Sequence, residues 1–176
     1  VIRVDNRPRI NWLPAAEQIE WIQYGGILEP VKLVSTSSSY ISDITVRTIP
    51  GKEGSLITCL VSVSNETPKE YKMDLEISIS KNSIIAKKKV KVQCKPNDTT
   101  KINIDILIEH AELWSPESPV LYTASVTLKR NEIKIDELTD RFGIRQVSVE
   151  GTSILLNGKP IVIKGTHRYD GYDHLG

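Results

Sequence analysis

The chain has 176 residues, 39% of them hydrophobic and 26% charged, with a net charge of +1. That balance suits a soluble globular protein, gives no overall field to attract nucleic acid or an anionic membrane, and contains no run near the ~18 apolar residues of a membrane span. Phe and Met occur once each while Ile and Val are abundant, a β-branched bias that favours strands.

In chain order, residues 1–4 and 27–34 read as two strands. They are separated by an irregular loop carrying Trp12, Pro14, Trp21 and Tyr24-Gly25-Gly26. Two strands bury no core alone, so they need partners upstream or must dock elsewhere. The small polar run Ser35-Thr36-Ser37-Ser38-Ser39 marks a domain boundary. Beyond it the strands follow one another closely. Ile57, Cys59, Val61 and Val63 alternate with polar residues. So do Tyr71, Met73, Leu75, Ile77 and Ile79, and then Ile102, Ile104, Ile106 and Ile108. Weaker alternation runs over 40–48, 84–92, 121–128 and 133–145. Turn clusters separate these runs, among them Pro50-Gly51, Lys95-Pro96-Asn97-Asp98 and Arg130-Asn131-Glu132. About seven strands in roughly 110 residues predict an all-β, immunoglobulin-like β-sandwich.

At the far end, Asn157-Gly158 predicts a tight hairpin in which both turn residues take φ > 0, joining 154–156 to 160–163. The continuous apolar run Ile161-Val162-Ile163 suits a strand buried on both faces, as in a parallel barrel. It leads into Lys164-Gly165-Thr166-His167-Arg168-Tyr169-Asp170. A polar cluster after a strand is where an α/β barrel places its active site. The expected organisation is therefore three pieces. Residues 1–35 end one domain, 36–146 form a whole sandwich, and 147–176 hold a hairpin and the first strand of a truncated TIM barrel.

Several side chains have two readings. Cys59 and Cys94 suit either an inter-sheet disulfide or two ordinary thiols. Asn65-Glu66-Thr67 and Asn97-Asp98-Thr99 are glycosylation sequons placed where turns are expected anyway. His167, Asp170, Asp173 and His174 are chemically suitable metal ligands, but nothing in the sequence orients them, so no metal or cofactor is expected. His110 reads as a packing residue in a turn. Trp114 and Tyr122 either stack on sugar from an exposed face or pack at the sandwich edge beside Pro116 and Pro119. Lys87-Lys88-Lys89-Val90-Lys91 reads as a solvated edge that discourages strand pairing; nucleic-acid recognition needs a broader basic face.

Four segments in order resemble glycoside hydrolase family 2, the family of β-galactosidases, β-glucuronidases and β-mannosidases. Trp21-Ile22-Gln23-Tyr24-Gly25-Gly26-Ile27 is similar to the end of its jelly-roll sugar-binding domain. Leu113-Trp114-Ser115-Pro116-Glu117-Ser118-Pro119-Val120-Leu121-Tyr122 is similar to its sandwich signature. Arg141-Phe142-Gly143-Ile144-Arg145 and Leu156-Asn157-Gly158-Lys159-Pro160 resemble the passage from sandwich to barrel. The resemblance implies a fold with a jelly-roll remnant before the sandwich and the start of a TIM barrel after it. It also implies a retaining exo-β-glycosidase parent, with β-galactosides the leading substrate class and β-glucuronides or β-mannosides next. In such chemistry one carboxyl protonates the leaving oxygen and another, about 5–5.5 Å away, attacks the sugar. In this family both glutamates lie on later barrel strands, beyond Gly176. No catalytic residue is thus expected in this chain, and no hydrolysis by it alone.

By the same resemblance Arg168 matches an arginine that lines the sugar subsite, where a guanidinium fixes carboxylates and hydroxyls. Tyr169 and Asp170 stand where His and Glu are common, His167 replaces Asn, and Glu29 stands where Arg is frequent. Arg168, Tyr169 and Asp170 are the expected substrate-binding residues. The expected partner is carbohydrate in the intact parent, with no nucleic acid or membrane; the oligomeric state stays open. The expected setting is the cytoplasm or periplasm of a bacterium, with the compartment unassigned. Two competing readings remain: a carbohydrate- or protein-binding module, which calls for exposed aromatics on one sheet face, and a structural adhesion domain, which calls for no barrel strand.

Overall fold

The computed structural model describes residues 2–5, 26, 27 and 29–166. Seven long strands come first: β1 (Ser39–Ile49), β2 (Ser55–Asn65), β3 (Tyr71–Ser80), β4 (Ile84–Cys94), β5 (Asp98–Ile108), β6 (Tyr122–Arg130) and β7 (Ile133–Phe142). Three short ones follow: β8 (Val147–Glu150), β9 (Ser153–Leu156) and β10 (Lys159–Pro160). Every pairing is antiparallel. One sheet runs β1-β2-β5, a second β4-β3-β6-β7, and the three short strands make a third, β10-β9-β8. The expected all-β sandwich is present, with two sheets clasping one core.

Alternation builds that core. Ile57, Cys59, Val61 and Val63 of β2 and Ile104, Ile106 and Ile108 of β5 point inward from one sheet. Met73, Leu75, Ile77 and Ile79 of β3 and Ala124, Val126 and Leu128 of β6 point inward from the other. Burial of such side chains contributes roughly 1.5–3 kcal/mol each against exposure, opposed by the entropy of ordering the strands. The expected strands over 57–63 and 71–79 lie in sheet interiors, β2 between β1 and β5 and β3 between β4 and β6. Where a two-residue turn joins β6 to β7, Asn131 and Glu132 both take positive φ, 51° and 63°.

Asn65 closes one end of the sandwich. Only 1% exposed, it accepts from the Ser39 hydroxyl (3.1 Å) and from the Thr67 amide and hydroxyl. It donates to the carbonyls of Lys69 (2.8 Å) and Lys95 (2.9 Å). One buried amide thus ties the ends of β1, β2 and β4 to the β2–β3 loop. In the folded chain this sequon asparagine is out of reach of modification, whereas Asn97 lies in an exposed turn with φ of 50°. Cys59 and Cys94 are both buried and free, so the thiol reading replaces the disulfide.

Three expectations change. Residues 2–5 and 29–35 form no strand, and Ile2, Val31 and Leu33 are exposed. Alternation there has no described neighbour to pair with, and an unpaired strand is not stable. Ile161-Val162-Ile163 does not continue as a strand: β10 ends at Pro160, and Val162 is 80% exposed. The Ile161 amide still donates to the Ile154 carbonyl (2.9 Å). The sequence reading passed over β8, whose residues pair with β9 from Val147↔Leu156 to Glu150↔Ser153. By its contacts the chain falls into two compact units, Thr36–Val162 and Val1–Ser35 with Ile163–Gly176.

Candidate functional site: the sandwich exit

The three resemblance segments within the described residues meet at one point, where β7 leaves the sandwich. Phe142 is buried at the end of β7 and stacks on Tyr122 with ring centroids 5.9 Å apart. The Tyr122 hydroxyl accepts from the Glu112 amide at 2.9 Å, anchoring the segment before Trp114. The Trp114 amide then donates to the Ile144 carbonyl at 2.8 Å. Between these contacts lies Gly143. A Cβ there would sit 2.8 Å from Cβ and Cγ of Trp114, so only glycine lets the chain pass the indole this closely. The Arg145 guanidinium caps the ring, 5.0 Å from its centroid. Thr48 of β1 completes the joint: its hydroxyl donates to the Arg145 carbonyl (3.0 Å) and accepts from the Arg145 amide (3.3 Å).

Asn157 reaches the same point from the hairpin. As expected, Asn157 and Gly158 both have positive φ, 52° and 76°. The turn alone does not explain the asparagine. Its Nδ2 donates to the Trp114 carbonyl (3.0 Å), its Oδ1 accepts from the Gln146 amide (3.0 Å), and its own amide donates to the Gln146 carbonyl (2.8 Å). Three segments distant in sequence are pinned by one half-buried side chain. A groove of about 430 Å³ runs alongside, lined by Leu113, Pro116, Glu117, Leu156 and Lys159 among others. The Pro-rich turn is held by paired bonds between Ser115 and Ser118.

Chemically this site grips backbone; it presents no acid–base pair. The groups with perturbed protonation lie elsewhere. Burial, aided by the Asp105 charge, pushes the Cys59 thiol up to about 11, and burial likewise raises Cys94. On the outer face of the four-stranded sheet, the Lys129 hydrogen bond (2.6 Å) holds Glu76 below the usual carboxylate range. A bond from Lys134 does the same for Glu137, and the Glu132 carboxylate raises Lys89. Among the described residues no group of His, Cys, Asp and Glu is arranged to hold a metal ion. No helix among the described residues is long and apolar enough to cross a membrane.

Arg168, Tyr169 and Asp170 lie outside the described residues, as do His167, Asp173, His174, Trp12, Trp21 and Tyr24. Glu29 is exposed, and His110 occupies an exposed turn with φ of 51°. Tyr40, Tyr71, Trp114, Tyr122 and Phe142, the described aromatics, are each buried or half-buried. Arg130 covers Tyr71 at 4.5 Å. Trp114 and Tyr122 therefore pack rather than present a stacking face. Sequence reasoning missed the bonding of Asn65 and Asn157; asparagine beside turns was the available signal, but its partners are remote.

Comparison with known proteins adds a wider frame. The family model described as glycosyl hydrolases family 2 matches residues 39–145. A β-galactosidase of Thermoanaerobacterium thermosulfurigenes is 28% identical over 98% of this chain, covering 24% of that protein. A β-glucuronidase of Rattus norvegicus is 27% identical over 89% of the chain and 23% of its own length. Among solved structures, a Bacteroides uniformis β-glucuronidase 2 covalently bound to cyclophellitol-6-carboxylate aziridine superposes with a TM-score of 0.84 at 22% identity. That match covers 98% of this chain and 22% of the other. A β-galacturonidase from Eisenbergiella tayi bound to galacturonate gives 0.64 at 28% identity, over 74% and 22% of the two chains. The chain spans between 15% and 24% of the length of the curated relatives it matches.

Proposed function

The chain belongs to glycosyl hydrolases family 2, and from that membership we propose that it is the non-catalytic β-sandwich of a retaining exo-β-glycosidase. In this reading residues 1–35 close a preceding jelly-roll domain, 36–146 form the sandwich, and 147–176 begin the catalytic TIM barrel. The whole protein removes terminal sugars from β-glycosides by the two-carboxylate route, with both carboxylates on later strands. Arg168, Tyr169 and Asp170 contact sugar hydroxyls there. The carrying observation is the joint at Trp114, Gly143 and Asn157. Its hydrogen bonds and close packing couple the sandwich exit to the hairpin, as a scaffold must when a following domain has to be held in register.

β-Galactosides are the leading substrate class and β-glucuronides the second, the latter favoured by the relatives named β-glucuronidase. The binding-module reading is weakened by the inward packing of the described aromatics. One experiment tests the proposal. The 176-residue chain and the longer protein that contains it are assayed on p-nitrophenyl β-galactoside and β-glucuronide, and the chain is titrated with the free sugars by NMR. The expected result is turnover by the longer protein only, with no specific binding by the sandwich. Specific millimolar or tighter binding on the sandwich, with no turnover by the longer protein, would replace the scaffold with a module.

A further inference from the structure

The two seams of the sandwich are closed by charged side chains standing where apolar ones belong. Lys88 lies in register opposite Ile77, which is 1% exposed, so it shares the inward face of β4 with Ala86, Val90 and Val92. Its neighbours Lys87, Lys89 and Lys91 point the other way, where Lys89 pairs with Asp74 (3.4 Å) and Glu132 (3.3 Å). The Lys88 ammonium crosses to the other sheet and donates to the Asp105 carbonyl of edge strand β5 at 2.7 Å. On the opposite seam Asp136 lies in register with Leu128, which is fully buried, and so it too faces inward. Its Oδ2 accepts from the Ile41 amide of edge strand β1 at 2.8 Å, beside the bulge at Ser42.

Each bond occupies a backbone group that a strand docking on that edge would need. Inward-pointing charges on edge strands are a known way to prevent such addition. The first seam needs a guard: Ile84 and Ile85 at the start of β4 and Leu107 near the end of β5 are 54%, 46% and 60% exposed. We infer that Lys88 and Asp136 are a paired seam lock that keeps a second copy of this chain from adding a strand to either open edge. This does not depend on the glycosidase reading.

The test uses the 176-residue chain by analytical ultracentrifugation across a concentration series. Lys88→Val is expected to associate, roughly doubling the weight-average mass as an isologous dimer forms. Lys91→Val, with the same loss of charge on the outward face, is expected to sediment like the wild type. Lys88→Thr is run alongside as a folded, less apolar replacement. No association of the Lys88 variants, or equal association of Lys91→Val, overturns the inference. A second readout needs no association. Asp136→Ala should speed exchange of the Ile41 amide by about tenfold or more, and Asp136→Asn, which keeps an oxygen acceptor, should largely restore protection. Unchanged exchange in Asp136→Ala overturns the lock at that seam.

Discussion

Val126 and Val149 have the same side chain, the same antiparallel setting and the same alternation, yet the first is fully buried and the second is 72% exposed. The difference lies in what stands opposite. Val126 is on the sheet β4-β3-β6-β7, whose inner face meets β1-β2-β5 across a core. Val149 is on β10-β9-β8, where Val147, Val149, Ile154 and Leu156 share one face, as the pairings Val147↔Leu156 and Val149↔Ile154 require, and of these only Leu156 is half-buried. Strand propensity makes both sheets, but only a second layer turns an apolar face into stability. The sandwich should therefore carry nearly all the folding free energy of this chain.

The sharpest way to break this contrast is at the centre of the sandwich. Leu75 is fully buried on β3, with β4 on one side and β6 on the other. Leu75→Ala is expected to cost about 2–5 kcal/mol, from lost transfer free energy plus the cavity left behind. Urea unfolding followed by far-UV circular dichroism would read this as a lowered midpoint with an unchanged slope. A loss under about 1 kcal/mol would mean that the two sheets are loosely packed and that the contrast with the small sheet is false.

The same contrast explains which parts of the molecule were legible from sequence. The 71–79 alternation marks β3 because every second residue of that strand faces the core, and the 57–63 alternation marks the part of β2 before its burial becomes continuous at Val61. β8 was illegible: four residues give only two alternations, and its valines face outward. In the lysine run on β4 the charges mask the period. Reading back in steps of two from Val92 and Val90 lands on Lys88, and only the register shows that it faces the core. The sandwich exit was legible as a set of motifs. The reason for Gly143 and Asn157 was not, because each answers to Trp114, far off in sequence. The proposed sugar contacts at Arg168, Tyr169 and Asp170 rest on resemblance alone.

An intermediate effect is expected where the two regions join. In Gly143→Ala the new methyl meets the indole of Trp114 at 2.8 Å, so ring or backbone must move. Overpacking of this kind costs about 1–3 kcal/mol. Because the Trp114 amide and carbonyl bond to Ile144 and Asn157, the shift should reach the hairpin as well. The check is a pair of measurements: the unfolding midpoint, and the NMR shifts of the Asn157 side-chain amide. A lowered midpoint with the Asn157 signals in place would show that the joint stabilises the sandwich without coupling it to the hairpin.

The smallest effect is expected on the bare face. Val149→Thr keeps the β-branched shape, and so the strand preference, while replacing a methyl with a hydroxyl. At a position 72% exposed the change removes little buried apolar area and leaves no polar atom unsolvated. It should alter stability by less than about 0.5 kcal/mol. The same swap at Val126, fully buried on β6, forces a hydroxyl into the core and should cost about 1–3 kcal/mol. Comparing the two midpoints isolates the second layer, since side chain and pairing are alike. If Val149→Thr proved as damaging as Val126→Thr, the face of the small sheet would already be covered within this chain, and the contrast between the two sheets would lose its physical basis.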